Sequence, residues 1–149
     1  MIELDTYKII LDLMPIICVD AVVLSNKGVL FLKRRNEPAK NEWWFPGGRL
    51  QKNERLEVAV VRKIQEECNI KVNLEKFLGV SQTIFETGMY NIQTHTVNFT
   101  FLLTTDDTDI QIDKDHESYI WSFEFNKLNL NTDILDILKN NNINDKYFV

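Results

Sequence analysis

The pattern of apolar and polar residues at the start of the chain predicts a helix followed by a β-hairpin. Apolar residues recur at helical spacing from Leu4 to Met14, and Pro15 ends that pattern. A β-branched run from Ile16 to Leu24 predicts a strand, and a second run from Val29 to Lys33 predicts another. The polar sequence Ser-Asn-Lys-Gly at 25–28 is typical of a turn, so we expect these two strands to pair.

Further along the chain, helical and extended patterns alternate. A Pro-Gly-Gly sequence at 46–48 is a strong break, and we expect a helix after it from Leu56 to Asn69. An extended segment begins at Ile70, and the other predicted elements are three strands and a last helix, Val80–Phe85, His95–Thr104, Tyr119–Phe125 and Thr132–Asn140. Strands mixed with a few helices favour an α+β or α/β sandwich. We find no repeat or linker, so residues 1–149 are expected to form one domain.

The composition argues against several classes of protein. The chain carries 22 acidic and 17 basic residues, a formal net charge of -5. That balance argues against a surface that coats nucleic acid, because phosphate backbones require a basic face, although a few arginines in one cleft can still bind a small anion. No apolar run approaches the ~18 residues of a membrane span, and the start does not resemble a signal peptide. We therefore expect a cytoplasmic protein without a membrane partner.

The helix predicted over Leu56–Asn69 combines a buried stripe with carboxylates. The stripe consists of apolar residues at every fourth position, Leu56, Val60, Ile64 and Cys68. Glu67 falls inside that stripe with Glu66 beside it, and an inward carboxylate is costly unless it is paired or bound to a cation. The two acids can therefore hold a hard divalent ion, although an ordinary amphipathic helix with a solvated charged face explains the same pattern. Arg62 is placed either to orient Glu66 or to pair with Glu54.

The spacing of residues through this segment resembles the Nudix box, GX5EX7REUXEEXGU with U aliphatic. Seven positions of the box are matched here, by Gly48, Glu54, Arg62, Ile64, Glu66, Glu67 and Ile70. Two positions depart from it, since Lys63 replaces the first Glu of REUXEE and Asn69 replaces the late Gly. The resemblance implies a hydrolase with a Nudix-type αβα sandwich, in which a mixed β-sheet lies between helices.

Residues outside the box resemble the GDP-mannose mannosyl hydrolase branch of that family. The similar segments are Lys33-Arg34, Pro-Gly-Gly-Arg at 46–49, Thr94-His95 and the run from His116 to Trp121. Members of the branch also lack the first Glu of REUXEE, so Lys63 agrees with it. The resemblance implies that water attacks the sugar C1 of a GDP-mannose-like nucleotide sugar, which releases nucleoside diphosphate and free sugar. It also implies a homodimer in which the N-terminal region contributes across the interface.

The same resemblance implies a metal site for Mg²⁺, with Mn²⁺ as the other candidate. The ligands would be a backbone carbonyl of the Gly47-Gly48 turn, Glu67 with Glu66 beside it, and Asp115. Asp115 stands where the branch has Gln, and an anionic oxygen suits Mg²⁺ at least as well as an amide oxygen. The bound ion would span the diphosphate and neutralise the charge that builds on the leaving group.

The remaining roles also follow from the resemblance. His116 matches the general base of the branch, although a lone His in an acidic loop is more often a surface residue. Arg34 and Arg49 match basic residues that assist catalysis and bind the diphosphate. Asp20 matches an Asp that contacts the sugar, and a carboxylate in so apolar a strand requires either a ligand or a buried ion pair. Thr96 departs from the branch, which usually has Tyr there, so the nucleobase and the sugar stay open.

Two other functions are compatible with the sequence. Both late acids of the box, Glu66 and Glu67, are present, which favours a conventional Nudix pyrophosphohydrolase acting on a nucleotide sugar, ADP-ribose or a nucleoside triphosphate. That enzyme would release a nucleoside monophosphate. Lys63 in place of the usual Glu favours instead a non-catalytic domain that binds a nucleotide sugar and regulates a partner.

Overall fold

A computed structural model of the protein describes residues 1–144. Residues 145–149, the end of the predicted domain, lie outside the described residues. The helices are α1 (Leu4–Leu13), α2 (Leu56–Cys68) and α3 (Thr132–Asn140). The strands are β1 (Ile16–Ser25), β2 (Gly28–Arg34), β3 (Trp43–Trp44), β4 (Gly47–Arg49), β5 (Asn73–Phe85), β6 (Thr94–Thr104) and β7 (His116–Ser122).

The three predicted helices and the predicted hairpin are confirmed. The structural limits of α1 and α2 differ from the predicted ones by a single residue, and those of α3 agree. β1 and β2 pair antiparallel around the turn, in the register Ser25 to Gly28. Asn69 caps the end of α2 in a left-handed conformation with φ 54°, which Asn tolerates better than most residues. None of the described helices is long and apolar enough to cross a membrane.

The mixed sheet between helices is also confirmed. The strand order is β3-β2-β1-β6-β5, with β4 paired to β1 and β7 paired to β2. β1 and β6 run parallel over nine residue pairs, while the other pairs are antiparallel. One core packs α2 against one face of the sheet through Val60 and Ile64, and a second core packs α3 against the opposite face through Ile134 and Leu138.

Two strand predictions were wrong in their limits. The segment from Ile70 and the strand Val80–Phe85 were predicted separately, but β5 is continuous from Asn73. Two register irregularities let β5 stay paired with β6, and Gly79 adopts a positive φ of 149° at the second one. The late strand was predicted at Tyr119–Phe125 but begins at His116 and ends at Ser122, because its pairing with β2 starts at Arg34.

The divergence of β1 and β2 positions the candidate site. Near their turn the two strands pair directly, but farther along β1 pairs with β4 at Cys18 to Asp20. At the far end of β2, Arg34 pairs with His116 of β7. The Gly-Gly turn, the end of β2 and the start of β7 therefore lie around one cleft, which α2 closes on one side.

Candidate active site

The Gly47-Gly48 turn brings the backbone of β4 against β1 and α2. A Cβ atom built on Gly47 would lie 2.3 Å from the carbonyl oxygen of Val19 and from Oδ1 of Asp20, so only glycine fits there. This close approach lets the Gly47 N–H donate a hydrogen bond of 2.8 Å to Oε1 of Glu67. The turn thereby fixes the one inward-facing carboxylate of α2.

Glu67 belongs to a buried cluster with Asp113 and His116. One ligand atom from each of the three lies within 4.8 Å of the others. Nε2 of His116 is 3.5 Å from Oε2 of Glu67, and Nδ1 of His116 is 2.6 Å from Oδ1 of Asp113. Glu67 is 5% exposed and His116 4%, so both are held in a low-dielectric environment.

The cluster fits a divalent metal ion. Burial raises the pKa of Glu67 to about 8, against the opposing influence of Lys63 and of the Gly47 hydrogen bond. A bound cation would offset that cost, because it stabilises the ionised carboxylate. Carboxylate oxygens such as those of Glu67 and Asp113 are donors that Mg²⁺ and Mn²⁺ both accept.

Two of the expected metal ligands lie apart from this cluster. The oxygens of Glu66 are 3.0 Å from Nη1 of Arg62 and 3.2 Å from Nζ of Lys63, and its side chain is 47% exposed. Asp115 is exposed at the rim of the cleft, where its carbonyl accepts the Arg35 N–H. Asp113 is the carboxylate that lies beside Glu67 and His116, and the ligand roles of Glu66 and Asp115 stay predictions. The proposed Gly47 and Gly48 carbonyl ligands stay a prediction.

Arg62 makes both of the contacts that the sequence offered as alternatives. It donates to Glu54 from Nε at 2.6 Å and from Nη2 at 2.9 Å, and to Glu66 from Nη1 at 3.0 Å. Its Nη2 also donates to the carbonyl of Arg49 at 3.2 Å. The hydrogen bonds from Arg62 hold the pKa of Glu54 below its ordinary value. Arg62 thus ties the loop before α2 and the end of β4 to the helix.

Three cationic side chains line the cleft beside the buried cluster. The cleft has a volume of about 610 Å³ and includes Arg34, Arg49 and Lys63 together with Glu67 and His116. That volume is within the range of pockets that take small organic ligands. The guanidinium of Arg49 stacks 4.8 Å from the ring centroid of Tyr7 in α1. Arg34 donates from Nε to the carbonyl of Pro38.

Asp20 lies in an adjoining cavity on the α3 side of the sheet. Its Oδ2 accepts a hydrogen bond of 2.8 Å from Nδ2 of Asn98, whose Oδ1 accepts one of 2.7 Å from Thr96. Of the two alternatives that the sequence left open for Asp20, a ligand or a buried ion pair, the ion pair is not its direct contact, since the partner is an amide. Burial raises the pKa of Asp20 to about 7. Trp44, Phe45 and Phe85 form an aromatic wall of the same cavity.

The sequence missed Asp113 and Asn98. Asp113 precedes β7 and reaches His116 across a turn of three residues, a geometry that no periodic pattern reveals. Asn98 alternates with Thr94, Thr96 and Thr100 as buried polar residues of β6, and that alternation was a readable signal. His95 points to the other face of β6 and contacts Gln82 at 2.9 Å, away from the cleft.

The chain resembles known proteins over most of its length. The NUDIX domain pattern matches residues 14–140. Low-salt glycan biosynthesis protein Agl8 of Haloferax volcanii is 35% identical over 114 residues, which are 75% of this chain and 73% of that protein. An ADP-ribose pyrophosphatase of Methanocaldococcus jannaschii is 37% identical over 76 residues, 51% of this chain and 45% of that protein.

Solved structures share the fold. The MutT protein from Methanosarcina mazei Go1 superimposes with a TM-score of 0.73 at 22% identity, covering 85% of this chain and 92% of that one. At that identity the likeness shows the fold alone. The match of residues 14–140 and the extended similarity to the Haloferax protein show the family directly, and this chain belongs to the NUDIX family of hydrolases.

Proposed function

We propose that this chain hydrolyses a nucleotide sugar to nucleoside diphosphate and free sugar, by attack of water at the sugar C1. The observation that carries the proposal is His116, which is buried between Asp113 and Glu67 at a cleft lined by arginines. The imidazole of His116 can act as a general base, which the ammonium of Lys63 cannot do.

Each residue of the cleft has a defined task in this reaction. With His116 in the tautomer protonated on Nδ1, Asp113 accepts that N–H, and Nε2, which faces Glu67, is the atom that takes a proton from water. As that proton moves to Nε2, the water oxygen bonds to C1 and the bond from C1 to the diphosphate oxygen breaks. Arg34 and Arg49 bind the departing diphosphate. Glu67 and Asp113 would hold a divalent ion, with Glu66, Asp115 and the Gly47-Gly48 carbonyls as further candidate ligands, and the ion would supply positive charge to the leaving group.

The cavity next to the cleft supports a sugar substrate. Asp20, Asn98 and Thr96 present hydrogen-bonding groups at its floor, and the aromatic wall suits the apolar face of a ring. Asp20 is accordingly proposed as the sugar contact. The Haloferax relative, whose name places it in glycan biosynthesis, is consistent with a nucleotide sugar.

The alternative is a conventional pyrophosphohydrolase that attacks phosphorus. Glu66 and Glu67 are both present, and the Methanocaldococcus relative is named as an ADP-ribose pyrophosphatase. In that reaction the products would include a nucleoside monophosphate. The two reactions differ in the bond that breaks, so product identity distinguishes them.

The test is a product analysis with Mg²⁺ in ¹⁸O-labelled water. Nucleotide sugars, ADP-ribose and nucleoside triphosphates would each be incubated with the protein, and the products separated by ion exchange. We expect nucleoside diphosphate and free sugar, with the label in the sugar. Label in phosphate together with nucleoside monophosphate would overturn attack at C1 and establish the alternative. No turnover with any substrate would favour the non-catalytic regulator.

The two histidines of the chain provide a matched pair of variants. His116→Gln should lower kcat by about 100-fold or more, in line with the loss of a general base. His95→Gln changes a histidine whose side chain contacts Gln82 and does not line the cleft, and it should leave kcat unchanged. Equal activity of both variants would remove His116 from the reaction.

A further inference from the structure

Lys63 occupies a specific place in the cleft because Gly48 has no side chain. A Cβ atom on Gly48 would lie 2.5 Å from Cε of Lys63 and 3.1 Å from its Nζ. The stem of Lys63 therefore runs over the Gly48 backbone, and its ammonium reaches the cleft that also contains Arg34 and Arg49. Lys63 and Glu67 are one helical turn apart on the same side of α2.

The contact that Lys63 makes in the protein leaves it available to a ligand. Nζ lies 3.2 Å from Oε2 of Glu66, whose other oxygen is already held by Arg62. Glu66 is nearly half exposed, and an exposed ion pair of this kind contributes little to stability. Turning the ammonium from Glu66 toward an anion in the cleft therefore costs little free energy. Arg62 stays bonded to Glu66 and still neutralises its charge.

The charge of Lys63 also limits what the cluster can bind. Lys63 is the strongest electrostatic influence favouring the ionised form of Glu67. An ammonium one turn from Glu67 repels a second divalent cation on that side of the cluster. A diphosphate bound across the cleft then meets three protein cations in addition to any ion held at Glu67 and Asp113.

We propose that Lys63 binds the diphosphate of the substrate directly, supplying the positive charge that a second metal ion would otherwise provide. This proposal rests on the proposed function only in requiring a ligand that contains a diphosphate. It assigns a binding role to the residue that departs from the Nudix box.

The test measures binding of inorganic pyrophosphate by calorimetry in EDTA, so that no metal and no turnover contribute. We expect Lys63→Gln to weaken binding by about tenfold, because one charge-assisted contact is lost, and Lys63→Arg to retain it. The matched control is Lys52→Gln, which changes an exposed lysine in the loop before α2 and should leave the affinity as it was. Unchanged affinity of Lys63→Gln would overturn the proposal.

A second measurement separates ligand binding from an effect on the metal cluster. Mn²⁺ affinity, measured without pyrophosphate, should be equal or stronger in Lys63→Gln, because a repelling charge has been removed. Weaker Mn²⁺ binding by this variant would show that Lys63 acts by shaping the metal site, and the proposal would fail. If pyrophosphate binding depends on Lys63 while no nucleotide sugar is turned over, the proposed function fails and this inference stands.

Discussion

Asp113 and Asp115 are two residues apart, but only the carboxylate of Asp113 contacts His116. We expect Asp113→Asn to lower kcat by about 10- to 100-fold, the usual effect of removing the acid that orients a functional histidine. Asp115→Asn is the matched change, and it should have a smaller effect because its side chain lies outside the cluster. Steady-state kinetics with saturating Mg²⁺ would check both, and a larger loss in Asp115→Asn would favour the ligand set inferred from the sequence.

Asp20 makes the stability of the protein depend on pH. Its ordinary pKa of 3.8 is raised to about 7 by burial, so between these values the folded state binds a proton that the unfolded state has lost. The free energy of unfolding therefore falls as pH rises from about 4 to about 7. Asp20→Asn can still accept the Asn98 hydrogen bond but cannot ionise, and above pH 7 it should be more stable than the unchanged protein by about 2–4 kcal/mol.

Urea denaturation in EDTA at several pH values would measure this effect. Between about pH 4 and about pH 7, the free energy of unfolding of Asp20→Asn should depend less on pH than that of the unchanged protein. Asp12→Asn removes an exposed carboxylate of α1 and serves as the control, with no such difference expected. Parallel pH curves for the unchanged protein and Asp20→Asn would contradict the raised pKa of Asp20.

Single residues were predictable from the sequence where a periodic element fixed them. Glu67 was identified as an inward-facing carboxylate because the apolar residues of α2 keep the same helical spacing along its whole length. Glu67 is indeed buried. Asp113 was not identified, because it lies outside regular structure and reaches His116 through a local turn. The direct partner of Asp20 was also not predictable, since Asn98 lies 78 positions later in the chain, on β6.

At the level of elements, the two glycines of β4 should respond differently to the same substitution. Gly47→Ala places a Cβ against the backbone oxygen of Val19, which cannot move without disturbing β1, and we expect a loss of about 1–3 kcal/mol. Gly48→Ala meets the flexible end of Lys63 and should fold with nearly unchanged stability. Thermal unfolding of both variants would check this order, and equal losses would contradict it.

Gly48→Ala also connects the turn to the inference about Lys63. Displacing the Lys63 stem should weaken pyrophosphate binding in EDTA even though the fold is kept.

The short strands β3 and β4 were not predicted as strands, because two or three residues carry no readable periodicity. The Pro-Gly-Gly break was visible in the sequence. The sequence did not reveal that the segment after the break pairs with β1 and that the Gly47 N–H binds Glu67.

At the level of the whole molecule, the layered fold was predictable because its helices have distinct apolar faces and its central strands are strongly apolar. The parallel pairing of β1 with β6 was not predictable, because it joins segments that the whole of α2 and β5 separates in the sequence. The cleft depends on that pairing and on the divergence of β1 from β2. The resemblance supplied what local patterns could not, namely that distant residues such as Arg34 and His116 belong to one site.

The surface of α1 bears on the predicted homodimer. Ile9 and Leu13 are 59% and 73% exposed. Exposing large apolar side chains to water is unfavourable, and such side chains on one helix are typical of a surface that another protein covers. Tyr7 of the same helix stacks on Arg49 of its own chain, so each subunit already has α1 at its own cleft. We therefore expect a dimer whose dissociation leaves the binding site intact.

Light scattering after size exclusion would test this with the double variant Ile9→Glu and Leu13→Glu. The unchanged protein should have twice the 17.5 kDa mass of one chain, and the double variant should have the mass of one chain. Val58→Glu alters a comparably exposed apolar residue on α2 and should stay dimeric. The monomeric variant should still bind pyrophosphate, because Tyr7 and Arg49 remain in contact. A loss of binding on dissociation would instead mean that the partner subunit completes the cleft, and an unchanged protein with the mass of one chain would exclude the dimer.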